Sequence, residues 1–508
     1  MKQYRLQIHV YNLYYTVKVY DRSLYNCFNS FKFKLSTFKV EYDKKTRRYK
    51  NKLEAQYYLY DTHKEVYRLP IKSFKLLLMY LKNEGVNKEE IDYQDHRKEI
   101  TYGEFNYGFH APFEFREDQK KYINAIKENL HKTILLIDAQ TGGGKSAMSS
   151  YIVSYLKIKP AFILLPKYIE KWIDDCKLYF KANREDICVI QGADTLLKLF
   201  STPSKDLKYQ IYIFSLPTLD SYFKSYEAGE ALFPLTPDEV MKHINAGVLV
   251  NDETHNSFRQ LTTAMLYLDA KYMLCSSASF DSNNRSLKNL YKTVIPPENR
   301  ISNLAKIERY VNVKAIRYDL RVTKGIRFKR SQGYNHILYE ESIMKFTFLK
   351  LKYFAMVEYY LNDIYFKKRQ SLNDKVAIFF ASIAMCDEFT GYLASRYPNE
   401  NIYKYVGGTS YGDMLNSNII ISNHQMLGTG IDVKGLIGVI QTVSTASLQA
   451  NIQNFGRLRK IPDREIWYYY LFNFQLGRQK QMANERYEAI KDKIKSYYGE
   501  EYSIKLNG

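Results

Sequence analysis

The chain is 508 residues long, 45% hydrophobic, and carries 75 Lys and Arg against 54 Asp and Glu, a formal charge of +21. That length exceeds what one hydrophobic core organises, so two large domains and a smaller one are expected; with no apolar run long enough for a bilayer and no secretory leader pattern, a soluble cytoplasmic protein without a membrane partner is expected. Five cysteines (Cys27, Cys176, Cys188, Cys275, Cys386) share no CxxC or Cys/His spacing, which argues against a disulfide framework and a zinc site, while the positive balance points to a polyanionic partner.

Residues 1–110 are the most basic part, with 21 Lys and Arg against 13 Asp and Glu. Short alternating segments at Tyr4 to Val10, Leu13 to Tyr20, Phe38 to Tyr42 and Ala55 to Tyr60 predict β-hairpins, with the basic stretch Lys44 to Lys52 between two of them. A helix is predicted over Ile71 to Lys82, completing a small basic α+β domain. Lys44, Lys45, Arg47 and Arg48 are its candidate nucleic-acid contacts, although a charge run of this kind also serves as a solvated hairpin tip.

From about residue 112, apolar runs alternate with longer amphipathic stretches, the pattern of a parallel sheet covered by helices. Strands are predicted at Thr133 to Asp138, Ala161 to Leu165, Gln210 to Phe214, Val248 to Asn251 and Tyr272 to Cys275, giving an α/β domain over 111–298. The region 299–370 reads as a connector with a basic loop, Lys324 to Arg330, and a Tyr/Phe-rich helical stretch, Glu340 to Lys368. Strands at Lys375 to Phe380, Ile402 to Val406, Asn418 to Ser422, Ile437 to Gln441 and Glu465 to Phe472 predict a second α/β domain over 371–508, with a C-terminal helix.

The chemistry concentrates where the first of these strands runs into Ala139-Gln-Thr-Gly-Gly-Gly-Lys-Ser146. Gly142, Gly143 and Gly144, following Thr141, let the backbone turn its N–H groups onto phosphate oxygens, with the positive end of the next helix behind them. Lys145 is then placed to reach the β- and γ-phosphates of ATP, and Ser146 to offer its hydroxyl to Mg2+. Val248 to Asn251 delivers two adjacent carboxylates, where Asp252 can hold Mg2+ and Glu253 can orient and deprotonate the attacking water. His255 can couple this site to its neighbours.

In the order of these motifs the chain resembles superfamily 2 DExH-box helicases over roughly residues 113 to 475. FREDQ sets Arg116 and Gln119 like the family's adenine-reading element; AFILLPKYIEKW (161–172) is similar to motif Ia, implying Pro166 and Lys167 against a nucleic-acid backbone. FSLPTL (214–219), with Thr218, resembles the next backbone-contacting motif, and Ser277-Ala278-Ser279 the motif linking hydrolysis to movement. IFFAS (378–382) resembles motif IV; LGTGIDV (427–433) resembles motif V, with Gly430 and Asp432 in the family's positions. QNFGRLRK (453–460) matches motif VI at Gln453, Gly456 and Arg457, but the family's second arginine falls on Lys460, one past Arg459. Arg457 and Arg459 are the expected γ-phosphate sensors, with Lys460 in reserve, since Lys lacks the planar fork of guanidinium.

The resemblance implies an α/β fold of two RecA-like P-loop domains in tandem behind the basic α+β domain, with ATP and Mg2+ as cofactors and nucleic-acid-stimulated hydrolysis. Both halves of the ATP site lie on one chain, so a monomer is expected. The N-terminal module makes the phage branch-migration helicases of the UvsW type the nearest subgroup, implying DNA (branched, forked or single-stranded) as partner and 3′ to 5′ movement. An RNA helicase stays open, because these motifs do not separate DNA from RNA. So do a restriction-type motor subunit, whose nuclease a partner would supply, and a non-catalytic nucleic-acid-binding protein switched by nucleotide.

Overall fold

The chain divides into two units, Met1–Ala305 and Lys306–Gly508. The computed structural model describes all residues except 1–3, 44–47, 98–100, 141, 231, 279, 281–284, 305–307, 321–325, 331–332, 424–432 and 504–508, together with the side chains at 39–43, 48, 51, 330, 411, 448–449 and 453.

The first unit begins with strands Leu6–Val10 (β1), Tyr14–Val19 (β2), Ser36–Asp43 (β3), Arg48–Gln56 (β4), Leu59–Asp61 (β5), Val66–Pro70 (β6) and Ile91–Asp95 (β7). Five of them form a sheet in the order β5-β6-β2-β1-β7, and β3 and β4 pair as a separate antiparallel hairpin. Of the four basic residues singled out there, Lys44, Lys45 and Arg47 lie outside the described residues, and Arg48 is described only as backbone in β4. Helices Tyr25–Lys34 (α1) and Phe74–Asn83 (α2) bury Phe28, Phe31, Leu77 and Leu81. The second begins within three residues of where periodicity predicts it.

A fully parallel sheet follows, built from Ile134–Asp138 (β8), Pro160–Leu164 (β9), Ile187–Ile190 (β10), Ile211–Ser215 (β11), Val248–Asn251 (β12), Tyr272–Ser277 (β13) and Arg300–Ser302 (β14), in the order β10-β11-β9-β12-β13-β8-β14. Side chains alternate between its faces. Leu135, Ile137, Phe162, Leu164 and Val250 pack on one side with Trp172 and Ile152 from the helices Pro166–Phe180 (α5) and Lys145–Leu156 (α4). Leu136, Ile163, Leu249, Met273 and Cys275 face the other way, into a core continuous with Leu6, Ile8, Phe31 and Leu77 of the N-terminal sheet and helices.

That junction also carries a buried ion cluster. The Arg68 guanidinium, 1% exposed, donates to Asp61 Oδ2 from Nε at 3.0 Å and Nη2 at 2.7 Å, and to the two carboxylate oxygens of Asp238 at 2.6 Å each. Asp61 belongs to the N-terminal sheet and Asp238 to the segment leading into β12, so the pair of carboxylates spans the junction. A buried charge with both partners satisfied is tolerated; removing one partner typically costs about 3–5 kcal/mol.

The second unit holds another all-parallel sheet, from Val311–Asp319 (β15), Lys375–Phe380 (β18), Ile402–Tyr405 (β19), Ile419–Asn423 (β20), Leu436–Gln441 (β21), Ile466–Asn473 (β22) and Ile494–Ser503 (β23), in the order β19-β20-β18-β21-β22-β15-β23. A short hairpin, Lys329–Arg330 (β16) and Gly333–Tyr334 (β17), stands apart from it. The five strands predicted for this unit are all present. The sheet starts earlier than the sequence suggests, because β15 lies inside the region read as a connector. It also ends later: the helix Gly477–Ile490 is followed by β23, which pairs with β15. No helix among the described residues is long and apolar enough to cross a membrane.

Candidate active site

The functional side chains of the first unit gather at the carboxyl ends of three adjacent strands, β12, β13 and β8, the edge at which open α/β sheets bind ligands. The loop after β8 turns on positive φ at Gly142 (77°) and Gly144 (80°), conformations that strain any side chain with a Cβ. At Gly144 a Cβ would also overlap Gln119 Nε2, and at Gly143 it would meet the Gln140 carbonyl at 2.9 Å. Thr141 lies outside the described residues.

Lys145 is the first residue of α4 and is 8% exposed. Its Nζ donates to the carbonyls of Ala139 at 3.3 Å and Gln140 at 3.5 Å, so it curls over the loop it belongs to. Gln119 is buried and ties the loop to the preceding helix, Glu117–Glu128 (α3): its Oε1 accepts from the Arg116 amide at 3.0 Å and its Nε2 donates to the Gly143 carbonyl at 3.1 Å. Arg116 itself is exposed and paired with Asp118 at 3.0 Å.

Asp252 follows β12 and is 7% exposed. Ser276 Oγ at 2.5 Å and the Glu253 amide at 3.0 Å donate to its Oδ1, while Trp172 Nε1 at 3.2 Å and Lys171 Nζ at 3.4 Å donate to Oδ2. Burial pushes this carboxyl up, but the charges of Lys171 and Lys145 with the Ser276 and Trp172 hydrogen bonds outweigh it and hold it below the ordinary Asp range. Glu253 adopts a left-handed backbone (φ 51°), a strained conformation of the kind that clusters at functional sites. Its buried Oε2 has no hydrogen-bond partner and lies 3.5 Å from His255 Nδ1. His255 Nδ1 is 2.7 Å from Ser277 Oγ, and burial lowers the imidazole pKa. The pair connects the end of β12 to the end of β13. Ser279 lies outside the described residues.

Lys171, Trp172, Asp175 and Ser276 carry this geometry without having been singled out by the sequence. The α5 helix starts on Pro166, whose missing N–H and fixed φ suit a first turn, and buries Ile169, Trp172, Ile173, Cys176 and Phe180 as a stripe at helical spacing. Trp172 packs on Phe162 at 4.8 Å between ring centroids. Lys171 and Asp175, one turn apart beside that stripe, thereby reach the strand ends; Lys171 Nζ also donates to Ser146 Oγ at 2.7 Å. The hydroxyl of Ser146 and the carboxylate of Asp252 thus already accept one cation together, and an oxygen-only donor pair of this kind fits a hard divalent ion.

Pro166 and Lys167 are exposed in the first turn of α5, away from the buried stripe. Thr218 lies in the first turn of the helix Leu216–Glu227, its Oγ1 accepting from the Gly192 amide at 2.9 Å.

In the second unit, Gly430 and Asp432 lie outside the described residues, as does the side chain of Gln453 on the helix Leu448–Phe455. Just beyond that helix Arg457 is buried at 5% exposure, Arg459 donates back to the Gly456 carbonyl, and Lys460 is exposed and paired with Glu308. Arg486, missed by the sequence, is 2% exposed; it braces this helix by donating from Nε to Asn451 Oδ1 at 2.8 Å and from Nη2 to the Val443 carbonyl at 2.5 Å.

Residues 112–282, which contain the whole strand-end cluster, match the family described as Type III restriction enzyme, res subunit. The match lies within the first unit and spans strands β8 to β13. The matched residues belong to the first of two parallel-sheet α/β units in tandem. Solved structures similar to this chain include T4 UvsW, at a TM-score of 0.36 and 14% identity over 98% of this chain and 100% of that one. S. cerevisiae Dbp5 bound to RNA and ADP BeF3 is similar at a TM-score of 0.47 and 13% identity, over 77% of this chain and 94% of that one. No curated protein sequence matches the chain.

Proposed function

We propose that the protein is an ATP-driven DNA helicase or translocase that couples hydrolysis to strand separation or branch migration, with 3′ to 5′ movement. The observation that carries this reading is the convergence of Lys145, Ser146, Asp252 and Glu253 at neighbouring strand ends, joined through His255 to Ser277. Lys145 and the amides of the glycine loop grip the phosphates, Ser146 and Asp252 hold Mg2+, and Glu253, with one carboxylate oxygen uncommitted to any hydrogen bond, accepts the proton of the attacking water. When bound, Mg2+ neutralises charge developing on the phosphate oxygens. The His255–Ser277 contact conveys the state of Glu253 to the next strand.

The net charge of +21 supports a nucleic-acid partner held through its backbone, by contacts that are tolerant of sequence and steeply weakened by salt. Pro166, Lys167 and Thr218 are the proposed backbone contacts of the first unit, with Lys44, Lys45, Arg47 and Arg48 as those of the N-terminal hairpin.

Lys145→Ala is expected to lower nucleic-acid-stimulated ATP turnover at least ~100-fold, the scale of losing one preorganised charge at a developing anion, while nucleic-acid binding is retained. Unchanged turnover overturns the motor reading. Comparing stimulation by DNA and RNA of equal length tests the choice of DNA, and stronger stimulation by RNA overturns it.

A further inference from the structure

Lys171 places a positive charge against the two oxygens assigned above to Mg2+. Its Nζ is 2.7 Å from Ser146 Oγ and 3.4 Å from Asp252 Oδ2. A third oxygen, Asp175 Oδ2, lies 3.5 Å from the same ammonium and one helical turn along α5. Asp175 is largely buried, with a side-chain exposure of 16%, and Lys171 is the only cation within ion-pairing distance of it among the described residues.

A divalent ion held at Ser146 and Asp252 would stand about 2 Å from any oxygen it binds directly and one water layer from any other. An ammonium at its present distances from the same oxygens would then stand within a few Å of that ion, where like-charge repulsion is large. The two cations exclude each other. Lys171 has a flexible four-carbon stem, and Asp175 offers its charge a second seat that requires no movement of the helix.

We propose that Lys171 is a built-in counter-cation of the nucleotide corner: it holds Ser146 and Asp252 until the metal–nucleotide complex takes those oxygens, then swings onto Asp175. Lys171 is a positioning residue in this scheme, and Asp175 is the seat that receives it. The consequence is ordered capture. With the corner already neutralised, a divalent ion alone gains little there, and the added negative charge of the nucleotide is what makes the exchange favourable. The inference rests on the assignment of Ser146 and Asp252 to the metal.

Mn2+ serves as the probe, its free concentration read by electron paramagnetic resonance with and without ADP. Lys171→Met is expected to bind Mn2+ without nucleotide about ten-fold more tightly than wild type, a modest share of what one nearby charge exerts in a partly buried site. Lys171→Gln, which drops the charge but keeps a hydrogen-bonding end, is expected to do the same and stands in should the methionine variant fail to fold. Asp175→Asn removes the second seat, so Mn2+ binding in the presence of ADP is expected to weaken by about five-fold. Unchanged metal affinity in folded Lys171→Met and Lys171→Gln, with Ser146→Ala impaired, overturns the role of Lys171 alone. Equal Mn2+ binding with ADP by wild type and Ser146→Ala overturns the metal assignment and the inference with it.

Discussion

Two buried carboxylates, one in each unit, are stabilised in opposite ways. Asp252 is surrounded by positive charge and polar donors and is held below the ordinary Asp range. Glu340, on the helix His336–Met344 and fully buried, meets the amides of Ala381 and Ser382 and the Ser382 hydroxyl, all at 2.8 Å, at the end of β18. Burial is its largest influence and pushes its carboxyl up to about 7 despite those three donors. The difference is one of counter-charge: three hydrogen bonds, with only the His336 imidazole 3.7 Å away, do not offset the loss of water around a carboxylate, whereas the ammonium groups of Lys171 and Lys145 do. Asp252 is held ionised beside Lys171, while Glu340 joins a helix to a strand end in the protonated form over part of the physiological range.

The sharpest way to break this contrast is Asp252→Asn, which removes the negative charge and leaves the shape. ATP turnover stimulated by nucleic acid is expected to fall by about 10³-fold, and a loss of less than ten-fold would mean that Asp252 is a structural acid like Glu340. Next in size is the pH dependence of Glu340. Its folded pKa lies above the ordinary value of about 4.3, so the native chain keeps a proton that the unfolded chain has released. The stability it confers is therefore complete below about pH 4.3 and is lost as pH rises to 7, a decline of ~3 kcal/mol. Urea unfolding across that window should show the fall in wild type and a flattened profile in Glu340→Gln; identical slopes would show that the carboxyl titrates normally. Smallest is Trp172→Phe, which keeps the ring against Phe162 but removes one donor to Asp252. A destabilisation of ~2 kcal/mol is expected in the same melts, the scale of a hydrogen bond to a charged group.

The sequence made the centre of both sheets legible because buried parallel strands are short apolar runs between helices, and β8, β12 and β18 follow that rule without exception. It was least informative at the margins. Strand β23, IKSYYGEEYS, lies at a sheet edge with most of its side chains exposed, so its place comes from backbone pairing to β15 and leaves no apolar pattern. Strand β15, VNVKAIRYD, reads as irregular because Lys314 and Arg317 interrupt its apolar positions, yet it is central enough to pair on both sides. At the site, Lys145, Ser146, Asp252 and Glu253 were visible because each adjoins a glycine turn or a strand end in the sequence itself. Lys171 and Asp175 sit mid-helix, more than 20 residues from the loop they serve, and only the packing of Trp172 on Phe162 reveals which way they point.

The continuous core shared by the N-terminal sheet and the first parallel sheet, together with the Arg68 cluster, makes residues 6–95 a fixed fitting on that parallel sheet. Whatever this fitting grips must travel with the first parallel sheet as a rigid handle, never as a tethered arm. A shortened chain starting near residue 110 would expose the apolar wall of Leu136, Ile163 and Leu249 and leave Asp238 without its guanidinium, so a minimal version of this enzyme has to keep its first hundred residues.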